Sequence, residues 1–206
     1  MRVLGISSSP RENGNSDILL RQALSGASSA GAEAEYLRLS KLNLAPCNAC
    51  GACYATGMCI IEDDFQMVLP KIIEAQRLIF ASPIYFMNVC AQAKILIDRC
   101  ECLWANKYLL KRTINEGGDK QRLAMVIATG ATKGKRLFEG IRMTMNYFFD
   151  ALDTGYFANL FVSNVEDAGK IADNQTAMEK AIRLGAGLAE ASGGKSEKII
   201  DVEITG

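Results

Sequence analysis

The sequence predicts a single doubly wound α/β domain, with a parallel five-stranded sheet covered by helices on both faces. Three observations carry this. Short apolar, β-rich runs alternate with helical patterns along the chain. Of the 206 residues, 49% are hydrophobic, enough for one domain with a sizeable core. Internal repeats and low-complexity tracts, which would signal a solenoid or a disordered chain, are absent.

The elements follow in order. Strands are expected at 2–7, 33–39, 77–82, 122–129 and 155–162, and helices at 15–30, 63–74, 88–104, 135–149 and 174–191. The helix over 88–104 is the clearest. Val89, Cys90, Ala93, Leu96, Ile97, Cys100 and Trp104 recur every three or four residues, as a buried stripe does. Cys90 and Cys100 therefore read as core packing, and Cys102 falls off the stripe without an assignment. Two stretches interrupt the alternation. Residues 42–61 form a long connection holding four cysteines, and loops of that length are uncommon unless functional. Residues 192–206 form a Gly-rich joint followed by 198–204, whose Ile199, Ile200, Val202 and Ile204 suit an added edge strand or an arm onto another subunit.

Composition excludes several classes. Formal net charge is zero, from 23 basic and 23 acidic residues, and no basic stripe offers itself to nucleic acid. The opening Met-Arg-Val-Leu-Gly-Ile-Ser reads as a strand running into a loop, not as a signal peptide. No run of about 18 apolar residues is present to span a membrane. The chain is expected in the cytoplasm. Seven cysteines, an odd number without a secretion signal, argue against a disulfide scaffold. The absence of histidine removes Ser-His and Cys-His nucleophiles and His-ligated metals, so a bound cofactor is expected to carry the chemistry.

The segment from Ser7 to Ser16, Ser-Ser-Ser-Pro-Arg-Glu-Asn-Gly-Asn-Ser, joins the first strand to the first helix. Hydroxyls, backbone N–H groups and a helix N-terminus favour a dianion there, and Arg11 adds a charge-assisted donor. Hydroxyls this dense exceed what helix capping needs. The loop lacks Gly-x-Gly-x-x-Gly and a Walker A. The Gly130-Ala131-Thr132-Lys133-Gly134-Lys135 run is one residue short of a Walker A, and Arg136 stands where Ser or Thr is required.

Ser9-Pro10-Arg11-x-x-Gly14-Asn15-Ser16 resembles the phosphate loop of the NADPH-dependent FMN reductase superfamily, a branch of the flavodoxin-like fold. Ser82-Pro83-Ile84-Tyr85-Phe86-Met87-Asn88, followed by Gln92, Lys94 and Asp98, resembles that family's second FMN loop, and Ala128-Thr129-Gly130 its third. The three loops leave the C-terminal ends of three expected strands, where open α/β sheets bind ligands, and together span most of residues 1–165. The resemblance implies a flavodoxin-like three-layer sandwich with strand order 2-1-3-4-5. It implies FMN with its phosphate on Ser7, Ser9, Arg11, Asn15 and Ser16. The ring would lie along Pro83, Ile84, Tyr85, Phe86, Met87 and Asn88 and along Ala128, Thr129 and Gly130. Met87 departs from the family, which commonly has Gly there, so a side chain crowds the ring face or alters backbone freedom.

Cys47, Cys50, Cys53 and Cys59 are spaced C-x2-C-x2-C-x5-C. Two x2 gaps let a coiled loop aim three thiolates at one centre, Gly51 and Gly57 permit the turns, and the x5 gap lets a fourth close the site. From spacing alone, an iron–sulfur cluster, free or redox-active thiols, and zinc all remain open. Zinc is opposed by the lack of two separated C-x2-C knuckles. Within this fold, and ahead of Asp63-Asp64-Phe65, the loop resembles that of the iron–sulfur flavoproteins. That resemblance implies a [4Fe–4S] cluster near the FMN, often across a subunit interface, and one-electron traffic between the two.

Three readings follow: an iron–sulfur flavoprotein passing electrons between a ferredoxin-like donor or NAD(P)H and a small acceptor; a cluster-free NAD(P)H-dependent FMN or quinone reductase; and a non-enzymatic flavin carrier. A homodimer or homotetramer is expected, because a one-sided flavin site benefits from a covering surface. No separate protein acid or base is expected, since the chemistry belongs to the flavin.

Overall fold

The computed structural model describes residues 1–114, 122–192 and 198–206. Its strands are β1 (Arg2–Ser7), β2 (Glu33–Arg38), β3 (Arg77–Tyr85), β4 (Asn88–Val89), β5 (Arg122–Thr129), β6 (Thr154–Ser163) and β7 (Ile200–Thr205). Its helices are α1 (Asn15–Ser29), α2 (Ala52–Thr56), α3 (Phe65–Glu74), α4 (Ala91–Arg99), α5 (Glu101–Tyr108), α6 (Glu139–Ala151) and α7 (Gln175–Glu190).

The sheet runs β2-β1-β3-β5-β6-β7, with β4 paired to β3. The first five strands of that path reproduce the expected order, and every pair along the path is parallel. The expectation of five strands is corrected to seven among the described residues. The segment 200–205 pairs in parallel with β6, from Ala158↔Ile200 to Ser163↔Thr205, so it is the added edge strand and not a free arm. The Gly-rich joint at 193–197 lies outside the described residues.

Parallel strands covered on both faces must be apolar on both, and the central strands are. All eight residues of β5 are buried. Alternate residues supply opposite cores. Leu4, Ile6, Leu78, Phe80 and Val126 pack beneath α3, α4, α5 and α6. Val3, Ile79, Ala81, Met125 and Ile127 pack beneath α1 and α7. Helices α1 and α7 touch at backbone distance. A Cβ on Gly26 would meet the Ile182 carbonyl at 2.0 Å, and one on Gly185 the Ala23 carbonyl at 1.9 Å, so only glycine fits this crossing.

The helix expected over 88–104 is corrected in three places. Asn88 and Val89 pair antiparallel with Tyr85 and Ile84, forming a hairpin that precedes the helix. Cys90 is the extended cap, its N–H donating to Ser82 Oγ at 3.1 Å, so α4 starts at Ala91. Cys100, at φ −74° and ψ 6°, then ends α4 and reorients the chain into α5. This turn brings Cys102 and Leu103 into the core and leaves Trp104 37% exposed, so Trp104 is not part of the buried stripe. Cys90 and Cys100 are buried as expected. Among the described residues, no helix is long and apolar enough to cross a membrane.

Candidate functional site

Strand register fixes where the ligand loops begin. Ser7 lies opposite Ala81, Ser82 opposite Ala128 and Pro83 opposite Thr129, so the loops after β1, β3 and β5 leave one rim of the sheet. Bonds beneath the rim join them. Ser8 Oγ donates to the Ala81 carbonyl at 2.9 Å, and the Cys90 thiol donates to the Ser8 carbonyl at 3.1 Å. Cys90 is thus a tie between two loops as well as core.

The cleft above the rim has about 200 Å³ of space and is lined by Ser9, Arg11, Gly14, Asn15, Ser16, Pro83, Ile84, Tyr85 and Thr129, with Ala131, Val165, Glu166 and Ala168. Eight of the residues expected from sequence therefore meet in one place. Ser7 is buried under the loop, Ala128 stays in the core, and Gly130 does not line the cleft. Phe86, Met87 and Asn88 stand outside the cleft lining. Asn15 contributes differently from expectation. Its side-chain amide donates to the Asp167 carbonyl at 2.9 Å, and its side-chain oxygen accepts from Ile171 N–H at 3.2 Å. It fastens α1 to the segment after β6 and leaves its backbone to the cleft.

That segment, Val165 to Ala168, is the wall sequence reading missed. It carries no motif, and its only signal is position: it follows a strand at the ligand-binding end of the sheet. Arg11 Nη1 donates to the Glu166 carbonyl at 3.2 Å, which holds the arginine across the mouth.

The chemistry of the cleft suits a dianion. Gly14 is the N-cap of α1 and supplies no side-chain cap, so the first turn of the helix, at Asn15 and Ser16, brings free amides and the positive end of the helix dipole to the cleft. Ser16 Oγ is buried without a hydrogen-bond partner, an arrangement that ordinarily costs stability unless a ligand supplies the partner. Ser7 Oγ is also without one, although it lies close enough to help lower the Asp17 pKa. Gly14 packs closely on the loop: a Cβ there would stand 2.3 Å from Ser9 Oγ and displace that hydroxyl from its bond to the Arg11 carbonyl. Pro83, Ile84 and Tyr85 give the opposite wall an apolar and aromatic surface, as an isoalloxazine ring needs. These residues fit FMN.

The departure at Met87 has a structural reading. Phe86 and Met87 are the two central residues of the β3–β4 hairpin and sit at φ 50° and 65°. Such a turn favours Asn-Gly, and two bulky residues there carry backbone strain. Phe86 is fully exposed at the tip.

The cysteine loop folds around α2. Gly51 and Gly57 flank that helix at φ 72° and 77°, the turns their sequence positions suggested. Cys47, Cys50, Cys53 and Cys59 are free thiols lining one small hollow, together with Arg99 and the buried Cys102. Burial pushes the Cys53 thiol up, and pushes Cys102 up to about 12. Among the described residues, no three Cys, Asp or Glu groups converge closely enough to hold a single metal ion. The donor set, four soft thiolates around one hollow, fits a cluster that gives each cysteine its own iron. A wider groove of about 520 Å³ adjoins it, lined by Cys47, Tyr54, Trp104 and Tyr147 among others. Neither hollow shares a lining residue with the cleft above α1.

Comparison with known proteins agrees with this geometry. Residues 1–159 match the family model described as NADPH-dependent FMN reductase. An iron–sulfur flavoprotein of Methanocaldococcus jannaschii is 31% identical over 198 residues, covering 92% of this chain and 96% of that protein. One of Archaeoglobus fulgidus is 30% identical over 191 residues, covering 93% and 80%. Among solved structures, a flavone reductase superposes with a TM-score of 0.73 at 20% identity, covering 98% of this chain and 66% of the other, which shows a shared fold. The chain is an FMN-dependent oxidoreductase that belongs to the NADPH-dependent FMN reductase family and, within it, to the iron–sulfur flavoproteins.

Proposed function

We propose that the chain passes electrons between an FMN bound above α1 and a [4Fe–4S] cluster held by Cys47, Cys50, Cys53 and Cys59. The single observation that carries this is the sharing of one hollow by all four thiols, on a loop shaped by Gly51 and Gly57. The FMN phosphate sits at the N-terminus of α1, with Ser9, Arg11 and Ser16, the amides of Asn15 and its neighbours, and the underlying Ser7. The ring lies along 83–88 and 128–130. Bound FMN supplies two-electron and one-electron chemistry in the same site. This chain's part is to neutralise the phosphate and to present an aromatic wall at Tyr85.

The cleft and the cysteine hollow share no residue, which favours a homodimer or homotetramer in which the cluster of one subunit faces the flavin of another. The exposed Tyr54, Trp104 and Tyr147 beside the hollow support that reading. NAD(P)H or a ferredoxin-like protein is the donor, and a small molecule the acceptor.

A second reading, a cluster-free NAD(P)H-dependent FMN or quinone reductase, is supported by the match of residues 1–159 to the NADPH-dependent FMN reductase family model. Iron, acid-labile sulfide and flavin content of anaerobically purified protein decide between them. The cluster reading expects about four irons per chain. It also expects each of Cys47→Ala, Cys50→Ala, Cys53→Ala and Cys59→Ala to lose iron while keeping FMN. Wild-type protein without iron, with full FMN and rapid NAD(P)H oxidation, establishes the second reading.

A further inference from the structure

Arg99 is the last residue of α4, and its side chain is fully buried. Nothing in the sequence pattern marks it, because it precedes the Cys100 break and sits in no motif used above. Its guanidinium forms a two-pronged pair with Asp63, Nη1 to Oδ2 at 2.6 Å and Nη2 to Oδ1 at 3.1 Å. It also donates to the Ala45 carbonyl at 2.8 Å and to the Ile61 carbonyl at 3.1 Å. Those two carbonyls flank the cysteine loop on either side. The remaining donor, Nε, reaches Cys59 Sγ at 3.3 Å. Asp63 completes the clamp by accepting from the Ala45 and Phe65 N–H groups at 2.8 and 2.9 Å. The guanidinium face rests 4.5 Å from the centre of the Phe65 ring.

A buried arginine that only filled the core would not need a sulfur among its acceptors. Arginine's planar fork reads fixed acceptors in fixed directions, and here they are the two ends of one loop and one of its thiols. Donors to cluster sulfurs stabilise the added negative charge of the reduced state and so raise the reduction potential.

We propose that Arg99 is a positioning residue for the cysteine centre: it closes the loop at Ala45 and Ile61 and places a permanent cation on the Cys59 sulfur. The second half rests on the reading that Cys59 ligates a cluster. The first half holds for the loop itself.

The test uses FMN-loaded, anaerobically reconstituted protein carrying Arg99→Gln, Arg99→Lys, or the pair Asp63→Asn/Arg99→Gln, which leaves no unpaired charge buried. The cluster is titrated against redox mediators and followed by electron paramagnetic resonance. Arg99→Gln is expected to shift the reduction equilibrium toward the oxidised form by about tenfold, about 59 mV for one electron, and the double variant, which also removes the Asp63 anion, shifts it less. Arg99→Lys, which keeps the charge, shifts it less. A residue serving stability alone would lower the unfolding midpoint without this Gln-versus-Lys split. On iron-free, FMN-bound protein, amide hydrogen exchange over 45–62 is expected to rise at least tenfold in Arg99→Gln and in the double variant, while the phosphate loop is unchanged. If wild-type protein takes up no iron, the cluster reading fails, and the exchange measurement alone decides the clamp. Wild-type potential in Arg99→Gln overturns the cation's role at Cys59, and wild-type exchange over 45–62 in both glutamine variants overturns the clamp.

Discussion

At the N-terminal end of the sheet, two buried arginines open the central strands β3 and β5. Arg77 donates to the carbonyls of Leu188 and Ala191 at 2.8 and 2.6 Å. Arg122 donates to Ala75 and Leu152 at 2.9 and 2.8 Å, and to Ile72. Those carbonyls end α7, α3 and α6, so cations meet the negative ends of three helix dipoles. At the C-terminal end, α1 presents its positive end with no side-chain cap, beside a buried Ser16 hydroxyl without a partner. In a parallel α/β sheet the two ends always carry opposite dipole ends. Here the negative end is closed by residues of the chain itself, while the positive end is shaped for an anion from outside. Under the proposed function, the difference separates residues kept for folding from residues kept for the flavin.

The largest effect expected from that contrast is at the closed end. Arg122→Met leaves three helix-end carbonyls without their donor, at about 1–3 kcal/mol for each group left unsatisfied, less what water recovers, so about 3 kcal/mol in all. Denaturant unfolding of the apoprotein reads this loss, and the FMN affinity of the folded protein stays as in wild type. Equal damage to stability and to FMN binding would erase the separation of roles.

The open end inverts the pattern. Ser16→Ala removes a hydroxyl that bonds nothing in the protein, so stability stays within about 0.5 kcal/mol of wild type. FMN affinity falls by about 1.5–3 kcal/mol, the worth of one bond to a charged phosphate, and riboflavin affinity does not change. Arg11→Ala shifts the FMN-to-riboflavin ratio the same way. Fluorescence titration with both ligands measures it, and equal losses for the two would remove the phosphate from this loop.

How much of this contrast is legible in sequence depends on whether a residue's partner is local. The five alternating strands and the hydroxyl-rich turn are local patterns, and both are where sequence reading expects them. The capping arginines are not, because Arg77 bonds residues more than a hundred positions away. The break at Cys100 is hidden by a stripe whose spacing continues smoothly through it, so the pattern alone gives Cys102 no place and puts Trp104 in the core. The β3–β4 hairpin was hidden for the opposite reason. Phe86-Met87 contradicts the usual chemistry of a two-residue turn, and a tertiary contact supports it: the Met87 carbonyl packs so closely on α6 that a Cβ on Gly140 would meet it at 2.3 Å.

That hairpin gives a smaller, opposite test at the open end. Met87→Gly relieves a left-handed backbone at φ 65° and is expected to stabilise the protein by about 1 kcal/mol. Thermal unfolding with and without FMN reports whether the gain is in the protein alone. A gain that appears only with FMN bound would show that the Met87 side chain meets the ring, not that its backbone is strained.

The smallest effect concerns Asp17, a buried carboxylate in the first turn of α1, one residue past Ser16. It accepts from Tyr36 Oη at 2.5 Å and from Arg21 Nε at 3.1 Å, while Arg21 stacks over the Tyr36 ring at 4.1 Å. Burial pushes its pKa up, but Ser7, Tyr36 and Arg21 together hold it below the ordinary 3.8. Because the folded pKa lies below the unfolded one, the carboxylate's contribution is complete above about pH 4 and is lost as pH falls through the folded value. The unfolding free energy of wild type minus that of Asp17→Asn is therefore flat from pH 4.5 to 7 and declines below about pH 4. Tyr36→Phe removes one donor and raises the folded pKa toward the unfolded one, so the decline becomes smaller and ends at a higher pH while its onset stays near pH 4. The same charge that favours the helix dipole also stands close behind the phosphate cradle, where like charges repel. Asp17→Asn should thus bind FMN no worse than wild type, and slightly tighter at low salt. A marked loss of FMN affinity in Asp17→Asn would mean that this carboxylate shapes the cradle, and would move it from the folding side of the comparison to the ligand side.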